Sequence, residues 1–232
     1  MRGDIFSKEH QVAPPTQAGM SLQNSRCVRY VVNGEVLARQ GAMVAFRGNL
    51  QFEVKSQGIG NFLKRAATGE GLSLMAVRGQ GEVWLADTGA HCFILDVEDG
   101  DRITVNGKNV LCFEPTLRYD IQVVKGAGMF GGGLFNTVFD GHGRLAITCD
   151  GDPIVLPVSS QLPVFVDTDA VVCWSSGLQT SINRSQSVKS MLKGGSGEAA
   201  QLRLDGDGFV VVQPSEGVPV QPQQGGGGGG GG

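Results

Sequence analysis

Aromatic residues and charges are both scarce in this chain of 232 residues, at 6% and 18%. The formal net charge of −3 supplies no basic surface for a phosphate backbone, which excludes DNA as a partner and disfavours RNA. Histidine is rarer still: His10, His91 and His142 are too far apart to meet any metal-ligand spacing. The five cysteines (Cys27, Cys92, Cys112, Cys149, Cys173) are odd in number and contain no C-x-x-C pair. That pattern fits buried thiols in a reducing compartment, not a disulfide framework or a zinc site. No run approaches the roughly 18 apolar residues a membrane-spanning helix needs. The opening Met1–His10 stretch has no continuous apolar segment, and Asp4 and Glu9 argue against a transit peptide. A cytoplasmic protein is expected, with any membrane contact peripheral.

Glycine, by contrast, is abundant. The chain has 37, of which eight form the terminal run Gly225–Gly232, so the remaining 224 residues still hold 29. About 7% is usual for a globular chain. No G-X-Y period is present, and 41% of residues are apolar, so the composition implies a folded all-β chain with many tight turns.

Self-comparison explains the glycines. Met43-Val44-Ala45-Phe46 matches Val110-Leu111-Cys112-Phe113 and Val171-Val172-Cys173-Trp174. Leu50, Leu117 and Leu178 follow each aromatic by four residues; Val36, Ile103 and Val164 precede it by ten. A second block reads Gly79-Gln-Gly81-Glu-Val83-Trp-Leu85, Gly141-His-Gly143-Arg-Leu145-Ala-Ile147 and Gly206-Asp-Gly208-Phe-Val210-Val-Val212. The first block recurs after 67 and 61 residues, the second after 62 and 65. Two blocks agreeing on one period imply a triplicated domain over residues 25–213, with units at about 25–88, 89–155 and 156–213. In each unit the apolar run predicts a strand buried on both faces. A Gly48-Asn49 turn and an alternating strand Leu50–Val54 come next, and the Gly-x-Gly predicts a hairpin. Residues 1–24 are expected to form an extended arm or edge strand. Residues 214–232, rich in Pro, Gln and Gly, are expected to be disordered.

Chemistry-bearing motifs are few. Gly126-Ala-Gly128-Met-Phe-Gly131 fits G-x-G-x-x-G, but no βαβ context supports a nucleotide site. No G-x-S-x-G or G-K-[ST] occurs. Cys112 and Cys173 align with Ala45, the mark of a small buried wall position and not of a nucleophile. His91-Cys92 opens an apolar strand, and Asp96, Glu98, Asp99 and Asp101 surround a hairpin-like turn at Gly100. No cofactor or metal is expected, and no convergent set of titratable residues points to an enzyme. The linkers between the blocks are more distinctive. Phe62/Leu63 with Lys64 and Arg65, Met129/Phe130 with Leu134/Phe135, and Met191/Leu192 with Lys193 place apolar pairs beside glycine and lysine. They suit either a plug for the core or a subunit interface, or else tips offered to a protein partner or anionic membrane.

The order Gly41-Ala-Met-Val-Ala-Phe46, Phe62-Leu-Lys-Arg65, Gly69-Glu-Gly71-Leu and Gly79-Gln-Gly81-Glu-Val-Trp-Leu85 resembles the altered-inheritance-of-mitochondria protein 24 family over residues 20–213. The resemblance implies three tandem units with pseudo-threefold repetition, each like a protomer of the tryptophan-RNA-binding attenuator protein, a β-sandwich or double-stranded β-helix type. It also implies a homo-oligomer, with a trimer favoured. The family's fungal member is associated with mitochondrial inner-membrane organisation; the lack of a transit peptide favours a bacterial cytoplasmic protein here. The leading expectation is a non-enzymatic scaffold that presents its loops to a partner or membrane surface. The alternative is a small-ligand or RNA-binding module, which rests on fold analogy alone.

Overall fold

Alternating and continuous apolar runs form strands almost wherever the sequence places them. The computed structural model describes residues 3–12, 14, 18–55, 72–123, 135–183 and 201–215. Two 3-10 turns, Asp4–Phe6 and Lys8–His10, open the chain, and β1 (Gly19–Asn24) is the edge strand expected of the arm. Three long strands follow: β2 (Cys27–Arg39), β3 (Met43–Val54) and β4 (Leu74–Leu85). The middle of the chain gives β5 (His91–Val97), β6 (Arg102–Asn106), β7 (Val110–Phe113), β8 (Leu117–Val123), β9 (Phe135–Gly141) and β10 (Gly143–Cys149). The last third gives β11 (Ile154–Val158), β12 (Val164–Asp167), β13 (Val171–Ser175), β14 (Gln179–Asn183), β15 (Gln201–Asp205) and β16 (Gly208–Val212). Among the described residues the protein is all-β, and no helix is long and apolar enough to cross a membrane.

Three antiparallel sheets result. One runs β3-β4-β2-β7-β10-β5, with β1 also on β2; the second runs β11-β16-β13-β6-β9-β8; the third is β12-β15-β14. One register appears in all three thirds of the chain. Val36 lies opposite Val77, Ile103 opposite Phe139, and Val164 opposite Leu204. Val44, Leu111 and Val172 each sit at a register shift, a bulge at the same place in each apolar run.

The Gly-x-Gly segments are not hairpins. β9 pairs with β6 and β8, whereas β10 pairs with β5 and β7, so at Gly141-His142-Gly143 the chain passes from one sheet to another. β15 and β16 behave the same way across Gly206. In β4 the segment Gly79-Gln80-Gly81 lies within one unbroken strand, and Gly48-Asn49 likewise lies inside β3 and forms no turn. Positive φ at Gly141 (104°) and Gly206 (112°) supplies the bend at the two crossings, and Gly79 (124°) keeps the same backbone region within β4. The acidic turn at Glu98–Asp101 also joins strands of different sheets, so it is a crossover.

Three hydrophobic cores lie between these layers. The first gathers Val28, Tyr30, Val36, Val77 and Val83 but also takes Leu111, Cys112 and Ala146 from β7 and β10. The second gathers Val105, Phe113, Phe139 and Leu145 and takes Leu37, Leu74 and Ala76 from β2 and β4, together with Val172 and Cys173 from β13. The third, around Trp174, Leu202, Leu204 and Val210, draws among the described residues only on the last third of the chain. Among the described residues these cores hold fifteen, fifteen and eight buried side chains.

Candidate functional site

The linker residues singled out by sequence fall mostly outside the described residues: Phe62, Leu63, Lys64, Arg65, Met129, Phe130, Leu134, Met191, Leu192 and Lys193. Phe135 is described. It opens β9 half-buried, opposite Val123.

Among the described residues the histidines and cysteines do not converge with carboxylates into one cleft. His91 Nδ1 lies 2.9 Å from Asp152 Oδ1 at the surface, and His142 occupies the bend between β9 and β10. Among the described residues no three His, Cys, Asp or Glu side chains gather as metal ligands would. Burial pushes the Cys92 thiol up to about 11 and those of Cys149 and Cys173 to about 12, which removes thiolate character. Cys112 and Cys173 are buried wall residues, as their exchange with Ala45 indicates.

The unusual surface is β3. The run Met43–Phe46 is expected to be covered on both faces, yet Val44 is 59% and Phe46 48% exposed. The matching runs, Val110–Phe113 and Val171–Trp174, are fully buried. The difference has a simple cause. β7 is flanked by β2, with Leu37 opposite Phe113 and Ala38 opposite Cys112. β13 is flanked by β6, with Ile103, Thr104 and Val105 opposite Ser175, Trp174 and Cys173. Among the described residues β3 has β4 on one side and no strand on the other. At the opposite end of the chain β12 also has an unpaired edge among the described residues, where Phe165 is 49% exposed and stacks under the Arg203 guanidinium at 5.9 Å.

The two internal seams share polar stitches. Arg39 Nη1 donates to the Lys108 carbonyl at 2.5 Å, and Lys108 Nζ donates to the Asp169 carbonyl at 2.5 Å. Asn106 Nδ2 donates to the Val171 carbonyl at 3.2 Å, and the Thr104 and Ser176 hydroxyls lie 2.9 Å apart. Each seam thus joins backbone ladder, apolar contact and one cation on a turn carbonyl.

Beside the open β3 edge sits an ion cluster that the sequence patterns do not reveal. Glu82 on β4 accepts from Arg29 on β2 and from Arg47 on β3, and both guanidiniums lie over the Trp84 ring, at 6.0 and 5.6 Å. Trp84 Nε1 reaches Gln23 Oε1 at 3.3 Å. Burial alone would raise the Glu82 carboxyl, but hydrogen bonds from Arg47 and Arg29 outweigh it and hold the carboxyl below its ordinary range. Five residues from four strands meet here only through sheet register, which explains their invisibility to motif reading.

Comparison with known proteins adds two findings. A family model described as mitochondrial biogenesis AIM24 matches residues 23–215. A crystal structure of a Streptococcus pyogenes protein superposes with a TM-score of 0.68 at 19% identity, covering 86% of this chain and 93% of that one. That level of identity establishes a shared fold and nothing further. No curated protein matches the sequence.

Proposed function

Since the chain belongs to the mitochondrial biogenesis AIM24 family, we propose that it acts by assembly and not by catalysis, as a homo-oligomeric β scaffold. Its three thirds are tandem units of one attenuator-like plan, joined by the β2·β7 and β6·β13 seams. A third seam of the same kind forms between copies, β12 of one against β3 of the next. The observation that carries this reading is the contrast between the exposed Met43–Phe46 run and its two buried counterparts. The small third core supports it from the other end, because both other cores are completed by residues of the strands that follow.

Extending the internal registers sets the contacts. Val166 comes opposite Ala45, Phe165 opposite Phe46 and Val164 opposite Arg47 of the neighbouring copy. Pairing would remove two apolar strand edges that are otherwise templates for aggregation. Because the two edges differ, the contact is heterologous and builds a ring or an open chain; a closed trimer is the favoured form. The linker pairs, Phe62/Leu63, Met129/Phe130 and Met191/Leu192, are the proposed contact for a protein partner or membrane surface.

The test is site-directed cross-linking of full-length chains. Ala45→Cys copies the cysteine found at Cys112 and Cys173, and Val166→Cys supplies its cross-strand mate. Directly opposed residues have Cα atoms about 4.5–5.5 Å apart, within disulfide reach. Oxidising a mixture of the two variants should yield a peptide joining positions 45 and 166. A wild-type chain that sediments as a monomer at every concentration, with no such peptide, would refute the scaffold.

A further inference from the structure

The seam between copies differs in one respect from the seams within the chain. Trp84 is flanked across its strand by Arg29 and Ala45. The corresponding crossings are Ala146 between Ile94 and Cys112, and Val211 between Val155 and Cys173. Both internal versions are apolar, and they pack on the core of the preceding third. Beside this crossing the open end carries two arginines, Arg29 and Arg47, against one glutamate, Glu82, whereas the β7 version carries Arg144 against Asp96 and Glu114, with the balance reversed, and the β13 version has uncharged Ser175 and Phe209. Arg29 and Glu82 are each 6% exposed, so the pair is already desolvated in the single subunit, while the Arg47 side chain is 60% exposed at the strand edge.

The opposite end is acidic. Asp167 on β12 and Asp205 on β15 outnumber Arg203, which donates to Asp205 at 2.5 Å, while Asp169 in the following turn is offset by Lys108, 3.8 Å away. One end of the molecule is therefore net positive and the other net negative.

We propose that the Arg29–Glu82–Arg47 cluster fixes the polarity of assembly. A β3 edge meeting another β3 edge would bring two positive clusters into one poorly solvated seam, and two β12 edges would oppose aspartates. Only β3 against β12 pairs opposite signs. Strand edges alone cannot make this choice, since any two open edges offer the same backbone donors and acceptors. Like-charge juxtaposition is the ordinary means by which interfaces suppress wrong partners. This inference rests on the scaffold reading above.

Sedimentation velocity of the full chain between about 50 and 500 mM NaCl tests it, since exposed charges are screened over that range. The wild-type dissociation constant should rise about tenfold with salt. Arg47→Ser, which copies Ser175 at the corresponding position, should flatten that slope. Arg47→Glu turns the cluster net negative, and should weaken assembly about tenfold at low salt and reverse the sign of the slope. Adding Asp167→Lys and Asp205→Lys to Arg47→Glu should restore it. Because Arg47 is mostly exposed, circular dichroism should find every Arg47 variant folded. Wild-type assembly indifferent to salt, or an Arg47→Glu chain that assembles as tightly as wild type, overturns the polarity code and leaves the scaffold standing. A wild-type chain that never assembles overturns both.

Discussion

Glu82 is held by two guanidiniums in a largely desolvated site, so its charge contributes to stability only while it is ionised. Its folded-state pKa is depressed below the ordinary carboxylate value of 4.5. Its contribution is therefore fully present above that ordinary value and is lost as the pH falls below it, through the lowered folded value. Glu82→Gln should destabilise the subunit at pH 7 by about 3 kcal/mol, because it leaves Arg29 buried without its counter-charge. Melting curves taken from neutral to acid pH should show the wild type and the variant converging as the pH drops. The cysteines follow the opposite logic: burial keeps them protonated, so Cys112 and Cys173 should resist alkylation until the chain unfolds, with half-buried Cys27 labelled first. The burial of Cys112 and Cys173 was legible from their exchange with alanine. The exposure of Val44 and Phe46 was not, because an apolar run specifies that it will be covered and is silent on whether the cover belongs to the same chain.

At the scale of elements, the strands were easy to read and their partners were not. The Gly-x-Gly pattern predicts a change of direction, and its glycines do bend the chain, but the bend leads into another sheet where a reversal was expected. Positive φ beside alternating apolar residues serves both outcomes; which one occurs depends on strands that are distant in sequence, as β10 shows by pairing with β5 and β7. In β4 the same glycines answer to close packing. A Cβ on Gly79 would stand 2.2 Å from the Asn49 carbonyl oxygen, and one on Gly81 would stand 2.3 Å from that of Arg47. Gly41, at φ +86°, has nothing within 4 Å of the same atom. Gly79→Ala should therefore cost about 3 kcal/mol or more, and Gly41→Ala about 1 kcal/mol from backbone strain alone. Urea denaturation of the two variants separates steric from conformational cost.

At the scale of the whole molecule, stability is unevenly spread. Among the described residues the first two cores are shared across seams, while the third has about half as many buried side chains. Amide hydrogen exchange should be fastest in β12, β14 and β15 of the isolated subunit, and should slow there, more than in β2 or β4, once copies associate. The strand register shared by the three thirds was foreshadowed by two spaced motifs, but the unequal cores were not, because an apolar run does not say which strands will cover it. The lean third core has a consequence for the life of the protein in a cell. A copy without neighbours opens most readily at its C-terminal third, and proteolysis of transiently opened states follows their population. Under the proposed assembly, association would close that opening, so that excess single copies would be cleared while assembled ones persist, and the amount of scaffold would track the number of complete assemblies, not the rate of synthesis.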